Sequence, residues 1–336
     1  WQQVELVIHP EKPVRTATVY VLFRGSHTGR VWFDDVYLGN EGAEENLLQN
    51  PGFEPGAAKR AVLDGIYIDS AEMGATILNF RREHWRYCTL PLTFTPQGRV
   101  CQLTIFPSVE FARELALRLH EQGKMLMANS TPAQFPWLAA WCDVMGTETN
   151  WAREGRYTPQ SDETLCYRRA LCYQRPYLLL LNTVYDQFPN EWVERYFKRA
   201  IAYGIFPSMF SHNAATDRYW ERPNLYNRDR ALFKHYIPIC QAIAAAGWEP
   251  VTHATCADVD IWLERFGPGG DGALYLTVFN SSSEPRAVTV SLDADALGIT
   301  ADMRARDLVT DAPVPITAGQ LKLSLGPEDL VVVKLR

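Results

Sequence analysis

The sequence predicts a mixed fold, α/β plus all-β: a (β/α)8-type barrel flanked by an N-terminal β segment and a C-terminal β-sandwich. Three observations predict it. Between residues 64 and 250, short apolar runs alternate with helical patterns, as parallel strands joined by helices do. Four of the five runs end in a polar residue with chemistry: Asp69, Asn129, Glu148 and Asn182. Before residue 55 and after residue 251, short strands separated by Gly, Ser, Asn and Pro take over.

Composition fits this reading. The chain has 336 residues, 47% hydrophobic and 21% charged, an ordinary globular profile with length for two or three domains. Disorder, collagen and coiled coil are excluded. No run of eighteen apolar residues exists, so no membrane span is expected. A net charge of −6 argues against a nucleic-acid partner, which needs a basic face. Aromatic residues make up 12% of the chain, which suits either a large aromatic core or flat platforms for sugar rings. Seven Cys with no CxxC pair give neither a disulfide framework nor a zinc site. The sequence begins at Trp1 without Met, so a processed or partial chain is expected.

Residues 1–55 read as a β segment. Val19–Phe23 and Val31–Leu38 are strands around a turn at Gly25–Gly29. The phrase Trp32-Phe33-Asp34-Asp35-Val36-Tyr37-Leu38 resembles the closing strands of jelly-roll carbohydrate-binding modules. That resemblance implies a structural calcium. Asp34 and Asp35 offer the oxygen ligands a hard cation takes, and they read equally as two solvated acids at a strand edge. Asn46–Glu54 resembles the opening phrase of the same modules, yet no module body follows.

The domain assigned to 56–250 contains five buried strands: Gly65–Asp69, Lys124–Asn129, Asp143–Glu148, Tyr177–Asn182 and Gly204–Met209. Ser108 is expected to cap a helix that buries Phe111, Ala112, Leu115, Ala116 and Leu119 and stops at Gly123. Asn190 is expected to cap another, with Val193, Phe197, Ala200 and Ile201 inward, and a last helix spans about Asn227 to Ala246. Polar residues at the carboxyl ends of strands are how a barrel builds its site, and no Gly-rich phosphate turn supports a doubly wound sheet. A closed barrel needs eight strands, so only the last five strand–helix units are visible. The expectation is a break or omitted segment near 54–64; the alternative is an unusual open sheet. From 251 to 336 the pattern is all-β. Residues 273–279 and 287–292 are read as an antiparallel hairpin, and the sandwich is given a packing role.

The chemistry centres on carboxylates. Asp69 and Glu148 end strands two places apart, and two acids across a cleft suit cleavage of a glycosidic bond. Glu72, three residues after Asp69, and Asp186 are rivals for Glu148. Trp151 and Trp141 flank Glu148 and are candidate apolar walls. Further candidate substrate contacts are Tyr67, Asn129, Asn182, Arg81, His84 and Trp85, with His212, Tyr219 and Trp220 after the last strand. Strand-end or core roles explain many of these equally well. No GxSxG, Walker A or GxGxxG motif occurs, and the His residues form no HExxH pair, which argues against serine-hydrolase, nucleotide and lone-His metal chemistry.

The stretch from Asp64-Gly65-Ile66-Tyr67-Ile68-Asp69-Ser70 through Arg81-Arg82-Glu83-His84-Trp85 to Met127-Ala128-Asn129 and Gly146-Thr147-Glu148 resembles barrel glycoside hydrolases. It is similar to retaining families related to α-galactosidases and endo-α-N-acetylgalactosaminidases. The resemblance implies Asp69 as nucleophile and Glu148 as acid/base in a retaining double displacement. It also implies an oligosaccharide or glycoconjugate substrate, no catalytic cofactor, and an extracellular or cell-surface setting. The other reading is a non-catalytic glycan-binding or scaffold protein with a degenerate barrel, in which the two acids would not share one cleft.

Overall fold

The computed structural model describes residues 3–9, 36–40, 43, 45–48, 63–71, 77–210, 218–270, 272–300 and 302–336. The chain divides into two units, Trp1–Leu63 and Asp64–Arg336. In the first, the Asn46 side chain clips a short segment together. Its Oδ1 accepts from Leu38 N at 3.0 Å and Leu48 N at 3.1 Å, and its Nδ2 donates to Val36 O at 2.9 Å. The expected strand at 19–23, residues 31–35 of the expected strand Val31–Leu38, the Asp34–Asp35 pair and residues 54–62 of the expected break near 54–64 lie outside the described residues; Val36–Leu38 are described and form no strand.

The second unit opens with five parallel strands: β1 (Gly65–Ile68), β2 (Met125–Ala128), β3 (Val144–Thr149), β4 (Tyr177–Leu181) and β5 (Phe206–Met209). They lie in chain order, each hydrogen-bonded to the next. All five runs singled out in the sequence are therefore strands of one sheet. Among the described residues the sheet is open, with β1 and β5 at its edges.

Helices α1 (Ile105–His120), α2 (Asp162–Cys172), α3 (Asn190–Ala202) and α4 (Pro223–Ala246) follow β1, β3, β4 and β5. Only the short 3-10 turn Pro136–Ala140 links β2 to β3. Side chains alternate across a strand, so one sheet face carries Leu126, Ala128, Met145, Leu179, Leu181 and Met209. All six are buried in one core with Ala112 and Ala116 of α1, Val193, Phe197 and Ala200 of α3, and Ile239 and Ile243 of α4.

Three helix starts differ from expectation. Ser108 lies inside α1, where its hydroxyl donates to Thr104 O at 2.9 Å. Asn190 is the first residue of α3 rather than its cap, because its amide is drawn to Asp229 at 2.8 Å. A side chain with a distant partner gives up the local capping bond. Helix α4 also begins earlier than expected, at Pro223, a residue whose fixed φ suits a first turn.

The C-terminal region is a sandwich of two antiparallel sheets. One contains β6 (Ile261–Phe266), β7 (Leu274–Asn280) and, beyond β8 (Arg286–Leu292) and β9 (Gln320–Leu325) in sequence, β10 (Leu330–Leu335). The other contains β8 and β9. The expected hairpin of 273–279 with 287–292 is therefore wrong: β7 pairs with β6 and β10, while β8 pairs with β9. The segment between β7 and β8 crosses from one sheet to the other. Burial gives the reason. Leu274, Leu276 and Val278 face the sandwich core, whereas Tyr275 and Phe279 join the core of the helices. A strand covered on both faces needs its hydrogen-bond partners beside it and its packing partners above and below.

Glu264 of β6 is one buried acid at this junction. Its Oε2 accepts from Trp248 Nε1 at 2.6 Å, and Cys166 Sγ of α2 lies 3.5 Å from Oε1. Burial raises its pKa, although the Trp248 donor and Arg169 act the other way. A carboxyl that holds its proton longer in the folded chain than in the unfolded one makes stability fall as pH rises between the two pKa values. Urea unfolding should therefore show Glu264→Gln gaining on the wild type as pH rises from about 4 through the window above the ordinary glutamate value of about 4.3. Parallel pH curves for the two proteins would show that Glu264 carries no such linkage.

Candidate active site

Parallel pairing of neighbours in chain order brings four strand ends side by side. Tyr67 of β1 lies opposite Met127 of β2, Met127 opposite Val144 of β3, Glu148 opposite Leu180 of β4, and Leu180 opposite Ser208 of β5. With a side-chain period of two, Tyr67, Asp69, Met127, Asn129, Gly146, Glu148, Leu178, Leu180 and Asn182 share the face away from the helical core. Gly146 confirms the phase, because a Cβ there would meet Met127 Cε at 2.9 Å.

The polar ends of this face are joined by hydrogen bonds. Asn129 Nδ2 donates to Asp69 Oδ1 at 2.9 Å and to Glu148 Oε1 at 2.8 Å. Asn182 Nδ2 donates to Glu148 Oε2 at 3.1 Å, and Tyr67 OH to Asp69 Oδ1 at 3.3 Å. Asp69 and Glu148 are both exposed, while Asn129 is only 7% exposed. Its orientation is fixed from behind: Asn129 Oδ1 accepts from Ser130 N at 2.8 Å, and Ser130 adopts φ 59° to present that N–H. Backbone bonds hold the outer members, from Asn129 N to Ile68 O at 2.8 Å and from Asn182 N to Thr149 O at 2.8 Å.

Because one nitrogen contacts both carboxylates, the two bridged oxygens are less than ~6 Å apart, at the scale of a single sugar bond. Two acids far apart in sequence thus face one solvent-exposed space, with neutral amides between and beside them.

Other sequence candidates fall elsewhere. Asp186 follows β4, but both its oxygens are engaged by Arg222 Nη2, at 2.9 and 2.8 Å. Tyr219 is buried, donates to Asp229 Oδ2 at 3.0 Å and packs on Tyr185 at 4.9 Å between centroids. Trp220, beside it, is 56% exposed and tilts against Phe233. Trp151 is fully buried with its ring edge-on to Tyr196 at 5.1 Å. It is a core residue and offers no face to a sugar, contrary to expectation. Arg81, His84 and Trp85 are organised around Asn79: Arg81 N donates to its Oδ1, Trp85 Nε1 to its carbonyl, and His84 Nδ1 lies 3.5 Å from its Nδ2. Among the described residues no hydrogen bond or ion pair links these three to the acid pair. Glu72 and His212 lie outside the described residues.

Sequence reasoning missed two anchors, Arg222 and Asp229. Asp229 is fully buried and accepts from Asn190 Nδ2 at 2.8 Å, Tyr219 OH at 3.0 Å and the Arg228 guanidinium at 2.7 Å. It ties the start of α3 to the segment leading into α4. A signal was present: Asp229 lies on the helical stripe of Leu225, Leu232 and Tyr236, where an acid must be partnered to be buried.

The fold and site define a class: a parallel strand–helix layer with two facing carboxylates at its strand ends, followed by an antiparallel sandwich. Residues 257–335 match the family described as the alpha galactosidase C-terminal beta sandwich domain. The match covers the sandwich and not the strand–helix layer. A putative alpha-galactosidase from Bacteroides fragilis is similar at 14% identity, covering 81% of this chain and 61% of that one, with a TM-score of 0.42. An Anoxybacillus alpha-amylase is similar at 12% identity, covering 68% of this chain and 56% of that one, with a TM-score of 0.42. Alpha-galactosidase I from Mortierella vinacea is similar at 10% identity, covering 81% and 76%, with a TM-score of 0.39. The chain spans 56% to 61% of the length of the first three solved structures. No curated protein matches it.

Replacing Asp229 with Ala should lower the unfolding free energy by about 3 kcal/mol, because the buried Tyr219 hydroxyl and the Asn190 amide lose their acceptor. Chemical denaturation checks this; a loss below about 0.5 kcal/mol would mean water replaces the carboxylate at no cost.

Proposed function

We propose that the chain is a retaining glycoside hydrolase of the α-galactosidase type, with Asp69 as nucleophile and Glu148 as acid/base. The observation that carries this reading is the single Asn129 amide nitrogen bonded to both carboxylates. Retaining enzymes hold their two carboxyl groups about 5–5.5 Å apart and inverting ones about 6.5–9.5 Å, to admit a water. A shared donor favours the shorter spacing. Asp186, committed to Arg222, is the weaker rival to Glu148.

In the first step Asp69 attacks the anomeric carbon as the bond to the leaving oxygen breaks. Glu148 gives its proton to that oxygen. Glu148, now a carboxylate, then takes a proton from water, the water oxygen attacks the anomeric carbon, and the bond to Asp69 breaks. Asn129 donates to both acids throughout. Tyr67, 49% exposed beside Asp69, and Asn182 beside Glu148 border the space a sugar would fill.

On this reading the five strands are the fourth to eighth of a closed eight-stranded barrel. Support comes from the edge position of β1, where Ile66 and Tyr67 are exposed, and from the half-buried Met127, Leu178, Leu180 and Phe206 on the face away from the helices. Three more strand–helix units would cover that face. The jelly-roll character of residues 1–55, the calcium at Asp34–Asp35 and an extracellular setting belong to the same proposal.

A panel of aryl glycosides that includes an α-galactoside should reveal turnover. Asp69→Asn should reduce it at least ~10³-fold with an unchanged melting temperature. NMR of the first-formed sugar should show the substrate's own anomeric configuration. An inverted product would remove the double displacement, and undiminished turnover in Asp69→Asn would remove Asp69 from it.

A further inference from the structure

The two amides that contact Glu148 are not equivalent. Asn129 is locked, because its Oδ1 accepts from Ser130 N and its Nδ2 therefore always points at the acids. Asn182 is not locked. Its Nδ2 donates to Glu148 Oε2 at 3.1 Å, while its Oδ1 is buried with no hydrogen-bond partner among the described residues. A half-turn of the amide about its last side-chain bond would exchange the two atoms. Either way one atom faces Glu148 and the other faces buried surroundings in which no described residue is a partner for it. Among the described residues, Glu148 is thus the one partner that sets which way the amide points.

We infer that Asn182 is a positioning residue that turns with the charge of Glu148, donating to the carboxylate and accepting from the carboxylic acid, and so places the acid proton on Oε2. A carboxylate accepts from both amides. A carboxylic acid must donate its O–H, and Asn129, with only N–H groups facing it, cannot receive it. The Asn129 N–H thus disfavours a proton on Oε1, and Oε2 is the oxygen at which a turned Asn182 presents its carbonyl oxygen as acceptor. On delivery to the leaving oxygen the O–H bond breaks, Glu148 becomes anionic and the amide turns back to donate. Among the described residues, the titratable groups of this network are Asp69 and Tyr67 on the β1 side, reached through Asn129. The strand ends of β2 and β4 contribute only amides, and the Asp186–Arg222 pair lies further along the segment after β4. The inference rests on the proposed acid role of Glu148 for its use, but the turning itself requires no substrate.

Carbon NMR of the full chain, free of substrate, tests it. As pH falls through the Glu148 carboxyl midpoint, assigned by its loss in Glu148→Gln, the Asn182 Cγ signal should move downfield as its oxygen gains a donor. The Asn129 Cγ signal, on the same carboxylate but locked by Ser130, should stay. Both carbons moving together, or Asn182 staying still while Glu148 titrates, would overturn the inference. Where turnover is measurable, Asn182→Leu should lose at least ~10-fold more kcat/KM on an alkyl glycoside, which needs protonation, than on a dinitrophenyl glycoside, which does not. The isosteric Asn182→Asp, a like charge beside Glu148, should move the basic limb of the pH profile upward. Equal losses on both substrates, or an unmoved limb, would reduce Asn182 to a structural residue. Absence of any glycosidase activity would sink the proposed function and leave the carbon titration to decide the amide.

Discussion

One amide group donating to two carboxylates is the interaction on which the site depends. Two like charges less than ~6 Å apart repel, and exposure to water reduces that repulsion without removing it. Asn129 sets one N–H against each acid and brings no charge of its own. A cation in its place would hold both acids as anions. A neutral donor leaves either free to take a proton. Asn129 can do this only because Ser130 pins its oxygen and because β1, β2 and β3 are parallel neighbours, so their carboxyl ends meet.

The rest of the second unit keeps those strand ends in register. Helix α3 is bound to the sandwich by ion pairs and by backbone contacts. Arg199, almost fully buried, lies 3.1 Å from Glu328 and 3.6 Å from Asp162, and Thr277 Oγ1 of β7 donates to Ala202 O at 2.5 Å. Burial raises the pKa of Asp162 while Arg199 opposes the shift, so the guanidinium offsets part of the cost of a buried acid. Strand β7, covered on both faces, makes the helical layer and the sandwich parts of one packed body. The packing role expected of the C-terminal region has a specific form: it backs α3, the helix that follows the strand leading to Asn182.

How much of this was legible follows from what each signal measures. Apolar runs ending in Asp69, Asn129, Glu148 and Asn182 located the strands and the hydrogen-bonded cluster at their ends together, because a buried parallel strand and its polar end are both local patterns. Helix starts at Ser108 and Asn190 were misplaced because capping propensity competes with distant partners such as Asp229. The hairpin of β7 and β8 was misread because Asn-Ser-Ser-Ser-Glu-Pro marks a reversal equally well within a sheet or between two sheets. Trp151 next to Glu148 in sequence suggested a wall of the site, but a residue beyond a strand end points wherever the following segment turns. Here that is into the core, against Tyr196 of α3.

The contrast between Glu148 and Asp186 turns on their partners. Both follow or end adjacent parallel strands, and both are exposed carboxylates. Asp186 meets a guanidinium with both oxygens, a pairing that favours one charge state and anchors a segment. Glu148 meets two neutral amides, of which Asn129 is held by Ser130 and only Asn182, on the inference above, turns with a change of charge. A group that must give up and regain a proton in one turnover needs partners of the second kind. Proximity to a strand end brought several acids into contention; neutral hydrogen-bond partners are what favours Glu148 over Asp186 in the acid/base role proposed for it.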